Sequence, residues 1–277
     1  MDDVIPRTAD HIKSKLSGEA TGHDWWHCWR VWQLAKRIGQ AEGANLFVVE
    51  LAALLHDIAD WKFSGDEKES SKRAAELLQT FGVDSPTITH VAEIIDSISF
   101  KGAEVETPMR TTEGRCVQDA DRLDALGAIG IARCFAYGGS NGRPIYDPAQ
   151  KPVPHASFAE YRNSNGPSLN HFSEKLLLLK DRMQTETGKK LAGERHAYVE
   201  TFVAQFMAEW HEAANPPGTY RHYKGGTYEV LGTGKHHETG EELVVYRGTD
   251  GQLWVRPKEQ FTEIIGENLR FHMQNGN

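Results

Sequence analysis

Histidine and aspartate recur together in this sequence at helical spacing. His23 and His27 are four residues apart, and Asp24 lies three residues before His27, so all three belong to one predicted helix terminus. His56 and Asp57 are adjacent at the end of an apolar segment. Burying such a pair is costly unless a partner compensates for it. These five residues are therefore the first candidates for a chemical site.

Further aspartates extend the pattern. Asp60 follows Asp57 by three residues, on nearly the same helix face, and Asp121 and Asp124 lie one turn apart in a later segment. Two imidazoles and two carboxylates make a mixed nitrogen and oxygen ligand set that suits Mn, Fe, Co, Ni or Zn. Such an ion lowers the pKa of a bound water and acts as a Lewis acid on a phosphoryl oxygen. Buried structural polar pairs are the alternative reading of these residues.

The elements that must position these side chains are helices. Up to about residue 214, apolar residues recur at three- and four-residue steps, as in residues 31–38 and 51–58. We predict further helices over residues 112–137, 173–187 and 191–214. Residues 138–167 are rich in Gly, Pro, Asn and Ser, which predicts a long loop of the kind that forms lids or binding loops.

The pattern changes after residue 214. Short alternating or β-branched segments follow, separated by turn residues such as Asp250-Gly251. We therefore predict a mainly α protein with two domains. Residues 1–214 form an all-helical domain, and residues 215–277 form a small β-rich, barrel-like domain.

Composition excludes several classes of function. The chain has 31 Lys and Arg against 39 Asp and Glu, a net charge of −8, which argues against general nucleic-acid binding. Its three cysteines show no CxxC spacing and argue against a disulfide framework. We find neither a secretory signal nor an apolar stretch of membrane-spanning length, so we expect a cytoplasmic protein with no membrane partner.

Four segments in this order resemble the metal-dependent HD-domain phosphohydrolase superfamily. They are GHDWWHCWRVW (22–32), LLHDIADWKF (54–63), ISFKG (98–102) and VQDADRLDALGAIGIAR (117–133). Together they are similar to a small bacterial subgroup with a single HD domain, which includes nucleotide pyrophosphohydrolases acting on nucleoside triphosphates. The resemblance implies an all-helical HD fold over roughly residues 20–210. Residues 220–263 resemble a small bacterial domain of unknown function.

The resemblance implies a particular ligand set. His27, His56, Asp57 and Asp121 take the positions of the four protein ligands to a divalent ion, which would be Mn, Co, Ni, Fe, Mg or Zn. The additional histidines of two-metal relatives have no match here, so we expect one ion. Asp60 takes the position of the general base, which is often a glutamate in relatives. Its alternative role is to cap the helix or to pair with a neighbouring lysine.

Other polar residues next to these segments have expected supporting roles. Lys62, Lys101 and Arg122 are candidates to bind the substrate phosphates, with ion pairs to neighbouring acids as the alternative. His23 and Asp24 are expected to support the metal ligands from outside or to cap their helix.

The resulting hypothesis is a metal-dependent phosphohydrolase whose substrate is a small phosphorylated molecule, a nucleotide. It would hydrolyse nucleoside triphosphates to monophosphate and pyrophosphate with a metal-activated water. Two alternatives remain open: a phosphomonoesterase or phosphodiesterase acting on another nucleotide, and a non-catalytic metal-nucleotide sensor or adaptor. The resemblance also suggests a homodimer.

Overall fold

The computed structural model describes residues 3–16, 24–58, 68–155, 157–214, 217–265 and 268–273. The chain forms two compact units, which divide between Glu200 and Thr201. In the described residues, no helix is both long and apolar enough to cross a membrane. The helices are α1 Val4–Lys15, α2 Trp25–Glu42, α3 Leu46–Leu55, α4 Glu69–Thr80, α5 Ser85–Ser97, α6 Thr112–Asp124, α7 Gly127–Ser140, α8 Phe158–Asn163, α9 Asn170–Glu174, α10 Glu186–Ala214 and α11 Lys258–Phe261.

Helix α2 is central to the first unit because it packs against both α3 and α6. It begins after Asp24, whose side chain accepts a hydrogen bond from the His27 backbone N–H, and it ends at Gly43 in the left-handed conformation (φ 69°). Its apolar face is buried and includes Val31 and Ile38. Helix α3 is apolar almost all round and is correspondingly buried. The predicted helical periodicity of this region is thus confirmed.

The segment after α9 differs from the prediction. Instead of one helix over residues 173–187, the chain makes two 3₁₀ turns, Leu176–Leu178 and Lys180–Arg182, and α10 begins only at Glu186. The Asp119 carboxylate accepts hydrogen bonds from the backbone N–H groups of Gln184 and Thr185 and from the Thr185 hydroxyl. The helix already ends at Lys175 (φ −144°, ψ −59°), and these tertiary bonds hold residues 184–185, at the far end of the non-helical segment, against α6. Tertiary contacts of this kind override local helix preference.

The predicted long loop is irregular over most of its length. Residues 158–163 within it form the short helix α8. Ser157 caps the start of this helix, because its side chain accepts a hydrogen bond from the Glu160 backbone N–H. The Pro144 and Ile145 carbonyl groups accept hydrogen bonds from Ser168 and Leu169, which tie the loop to the start of α9. This loop contributes part of the cavity described below.

The second unit contains the predicted β-rich fold. The strands are β1 Gly218–His222, β2 Thr227–Lys235, β3 Glu242–Arg247, β4 Leu253–Pro257, β5 Ile264–Ile265, β6 Asn268–Leu269 and β7 Phe271–Met273. The main sheet is antiparallel, has five strands and runs in the order β4-β3-β2-β1-β7. The register pairs Val230 with Tyr246 and Val244 with Arg256, with an irregularity between Val230 and Gly232. The buried core of this unit comprises Tyr220, Val230, Val244, Tyr246, Phe261 and Phe271.

Candidate metal centre

Three helices bring four of the predicted residues together. His27 lies in the first turn of α2, where the Asp24 cap fixes its backbone at 2.9 Å. His56 and Asp57 directly follow α3, and Asp121 lies in the last turn of α6. Because α2 packs against both α3 and α6, residues that are far apart in sequence converge at one point.

The potential ligand atoms of these residues are close neighbours. His27 Nε2 lies 3.1 Å from His56 Nε2, 3.3 Å from Asp57 Oδ2 and 3.6 Å from Asp121 Oδ1. His56 Nε2 lies 3.5 Å from Asp57 Oδ2 and 3.9 Å from Asp121 Oδ1. Metal–ligand bonds of ~2.0–2.2 Å place neighbouring ligand atoms ~3–3.6 Å apart. The spacing of His27, His56 and Asp57 therefore fits a shared divalent ion. Asp121 Oδ1 lies at the edge of this group.

Hydrogen bonds behind the two imidazoles determine which ring nitrogens face inward with a lone pair. His56 Nδ1 lies 2.8 Å from the Ala53 carbonyl oxygen, which can only accept, so Nδ1 carries the proton. His27 Nδ1 likewise donates to Asp124 Oδ2 at 2.8 Å. In the neutral form, each ring therefore turns an Nε2 lone pair toward the carboxylates of Asp57 and Asp121. This mixed nitrogen and oxygen set suits a divalent cation.

The pKa of His27 shows that the neighbouring carboxylates also favour a positive charge on this imidazole. Burial, and to a smaller extent Arg133, lowers this pKa because each disfavours the charged imidazolium. The hydrogen bonds to Asp124 and Asp57 outweigh both effects and raise the pKa of His27 above its usual value.

Asp124 is a component of this centre that the sequence suggested only as a supporting group outside the ligand set or as a partner within its own helix. Its carboxylate is buried and accepts a hydrogen bond from His27 Nδ1. It also accepts hydrogen bonds from Arg30 Nε at 2.7 Å and from Arg133 Nη1 at 3.0 Å. Burial alone would raise the pKa of Asp124, but hydrogen bonds from His27 and Arg30 hold it well below its usual range. Asp124 thus remains ionised and orients the imidazole of His27. The available sequence signal was its spacing, one turn after Asp121.

The other predicted residues fall in three places. His23, Asp60 and Lys62 lie outside the described residues. Asp24 caps α2 and contacts the backbone of His27. Lys101 is half-buried in the segment that follows α5.

Arg122 is more deeply buried than a surface phosphate ligand would be. Its Nη1 donates to the Arg182 carbonyl oxygen, and its Nη2 donates to Thr107 Oγ1 at 2.8 Å. Burial lowers the pKa of Arg122 to about 10. Both terminal nitrogens therefore connect chain segments, while Nε has no hydrogen-bond partner within the described part of the chain.

A cavity of about 330 Å³ adjoins the His and Asp group. Asp121 is part of its lining, together with the cations Arg122, Arg133, Arg143 and Lys175. Aromatic side chains, among them Phe100, Tyr137 and Tyr161, line the same cavity. A site with this volume, several cations and aromatic walls suits an anionic ligand that also carries an apolar ring.

Two protein families account for most of the chain. An HD domain matches residues 25–126, and the protein of unknown function DUF1653 matches residues 218–272. The chain is similar to the uncharacterized protein YpgQ of Bacillus subtilis (strain 168), with 41% identity over 196 residues, which are 70% of this chain and 87% of that protein.

Solved structures with high similarity share the helical fold. A Lactobacillus plantarum protein has 39% identity and a TM-score of 0.70, covering 78% of this chain and 99% of its own. An HD-superfamily hydrolase from Bacillus thuringiensis has 44% identity and a TM-score of 0.59, covering 76% and 97%. The crystal structure of YpgQ in complex with ADP has 35% identity and a TM-score of 0.55, covering 75% and 98%.

Proposed function

Because this chain belongs to the HD superfamily of metal-dependent phosphohydrolases and carries a C-terminal DUF1653 domain, we propose that it hydrolyses nucleoside triphosphates to monophosphate and pyrophosphate. His27, His56, Asp57 and Asp121 hold one divalent ion in this proposal. The observation that carries it is the pair of histidine Nε2 atoms, 3.1 Å apart, beside the carboxylate oxygens of Asp57 and Asp121. When bound there, a divalent ion supplies a water of lowered pKa and Lewis acidity toward a phosphoryl oxygen.

The nucleotide part of the proposal is supported by the cavity and by one relative. Cationic side chains and aromatic rings line one continuous space next to Asp121. YpgQ, which is 41% identical over the matched region, has been crystallised with ADP. Phosphates would lie toward Arg122, Arg133 and Lys101, and Lys62 is a further phosphate ligand.

The hydrolytic step in this proposal is an in-line displacement at phosphorus. Asp60 orients the attacking water and accepts its proton, while the water oxygen bonds to the α-phosphorus in line with the leaving group. The bond between the α-phosphorus and the bridging oxygen breaks, and pyrophosphate leaves with that oxygen. The cationic side chains balance the negative charge on the phosphates.

A product-resolved screen tests this reaction. The full chain is incubated with Mn²⁺ or Co²⁺ and with nucleoside triphosphates, nucleoside monophosphates or cyclic dinucleotides, with a chelator-treated control. We expect pyrophosphate from triphosphates only when metal is present. Orthophosphate from monophosphates would identify a phosphomonoesterase, and opening of cyclic dinucleotides a phosphodiesterase. Bound nucleotide without any product would identify a sensor.

Asp124 provides a test of the centre that leaves all four proposed ligands in place. We expect Asp124→Asn to weaken Mn²⁺ binding about 10–100-fold, because the carboxylate no longer holds His27 and no longer balances Arg30 and Arg133. Isothermal titration with Mn²⁺ measures the affinity. Asp10→Asn, an exposed change on α1, serves as the matched control. Unchanged affinity in the Asp124 variant would contradict the orienting role.

A further inference from the structure

Glu174 is a buried carboxylate on the lining of the cavity, on a stretch of chain remote in sequence from the proposed metal ligands. Its side chain is 7% exposed, and Oε1 accepts the Val153 backbone N–H at 3.1 Å. His155 Nε2 lies 3.6 Å from Glu174 Oε2, beyond hydrogen-bond distance. A carboxylate has about four lone-pair positions. Within the described part of the chain, Glu174 accepts one hydrogen bond besides its ion-pair contact with His155, so acceptor capacity is left over.

The same part of the cavity has aromatic walls. The Tyr161 ring meets the edge of Phe100 at 5.2 Å and lies within 24° of parallel to His171, with the ring centres 6.1 Å apart. Lys175, the neighbour of Glu174, donates to the Tyr161 hydroxyl at 3.2 Å. Aromatic faces of this kind stack on any nucleobase, so they favour a base without distinguishing among bases.

The charged side chains that line the cavity favour one orientation of a bound nucleotide. A phosphate beside the Glu174 carboxylate would bring like charges together, whereas beside Asp121 the proposed divalent ion, Arg122 and Arg133 would offset the negative charge. The phosphates therefore belong at the metal-facing wall and the nucleoside at the wall of Glu174, Tyr161 and His171. A neutral N–H or O–H donor is the group that a carboxylate can accept there.

We infer that Glu174 is a specificity-determining residue that accepts a hydrogen bond from the nucleoside part of the substrate. The inference rests on the proposed function for the identity of the ligand as a nucleotide. Two parts of a nucleoside carry the required donor: the amino or imino edge of the base, and the ribose hydroxyls. Both place an uncharged donor against a buried acceptor.

Equilibrium binding to the full chain tests this inference without relying on turnover. The probes are ADP and inorganic pyrophosphate, each with Mn²⁺, and the variants are Glu174→Ala and Glu174→Gln. We expect Glu174→Ala to weaken ADP binding about 10–100-fold and to leave pyrophosphate binding within about twofold, because only ADP carries the nucleoside donor. Glu174→Gln keeps an uncharged acceptor and should lose less. Glu160→Gln, an exposed change on α8, is the matched control.

Two ADP analogues identify the donor. Purine riboside diphosphate lacks the amino group and gains no N–H in its place, and 2′,3′-dideoxyadenosine diphosphate lacks both ribose hydroxyls. The wild type should bind one of the two analogues as weakly as the Glu174→Ala variant binds ADP. The group that this analogue lacks is then the donor to Glu174. If both analogues bind wild type as tightly as ADP does, or if the Glu174 variants weaken pyrophosphate equally, the inference is overturned.

Hydrolysis and ADP binding together distinguish failure of the proposed reaction from failure of the proposed role of Glu174. If the wild type hydrolyses no nucleotide while ADP binding still depends on Glu174, the proposed reaction is wrong and the nucleoside subsite stands. If triphosphates are hydrolysed while Glu174→Ala binds ADP as the wild type does, the reaction stands and the subsite is wrong.

Discussion

Replacing Asp57 with alanine is expected to abolish both metal retention and hydrolysis. Asp57 Oδ2 lies 3.3 Å from His27 Nε2 and 3.5 Å from His56 Nε2, so its removal takes one of two negative charges from the proposed ion. We expect hydrolysis to fall by about 10⁴-fold or more, the scale on which single members of a catalytic unit act. Metal content after gel filtration and pyrophosphate release from a triphosphate measure the two effects.

The control for this variant separates the local effect from a general loss of charge. Asp96 is exposed on α5, and Asp96→Ala should keep both metal and activity. Asp57→Asn preserves the side-chain volume and should also lose the ion, which excludes a packing defect as the cause. Full activity in Asp57→Ala would refute the assignment of the centre.

Replacing Asp60 with alanine is expected to separate metal binding from turnover. Asp60 is three residues beyond Asp57 and is proposed to orient the attacking water rather than to hold the ion. Loss of a general base lowers the rate by about 10²–10⁴-fold, so kcat should fall by that factor while metal content stays at the wild-type level. Steady-state kinetics beside metal analysis checks this result.

A glutamate at position 60 provides the matching comparison. Related HD enzymes often carry glutamate at this position, so Asp60→Glu should retain far more turnover than Asp60→Ala. Loss of the ion in Asp60→Ala would make Asp60 a ligand instead of a base. Unchanged kcat in the same variant would remove Asp60 from the mechanism.

Sequence alone was sufficient for the family and for the two fold types. Periodicity in α2 and α3 follows from the 3.6-residue repeat, and the short alternating segments after residue 214 follow from the two-residue repeat of strands. The order of His27, His56-Asp57 and Asp121 indicated the HD superfamily, which the matched family confirms. The helices, the strands and each family motif can be predicted from sequence because each depends on residues that are close together along the chain.

Local pattern was insufficient where a distant group decides the conformation. Within the predicted helix over residues 173–187, the Asp119 carboxylate accepts hydrogen bonds from the Gln184 and Thr185 N–H groups, so these two residues lie outside any helix. Arg122 stays a phosphate-binding candidate because it lines the cavity, but only the structure shows that its terminal nitrogens also donate to Arg182 and Thr107. In both cases a buried polar side chain forms its hydrogen bonds with residues that are remote in sequence.

The sequence by itself therefore determined the helical and β-rich domains, the superfamily and the candidate ligand types. Only the tertiary structure decided that Asp124 holds His27 between Arg30 and Arg133, and that Glu174 lines the same cavity as Asp121. The reason is that ligand geometry and desolvation depend on distances through space. Such distances exist only once α2, α3 and α6 have packed together.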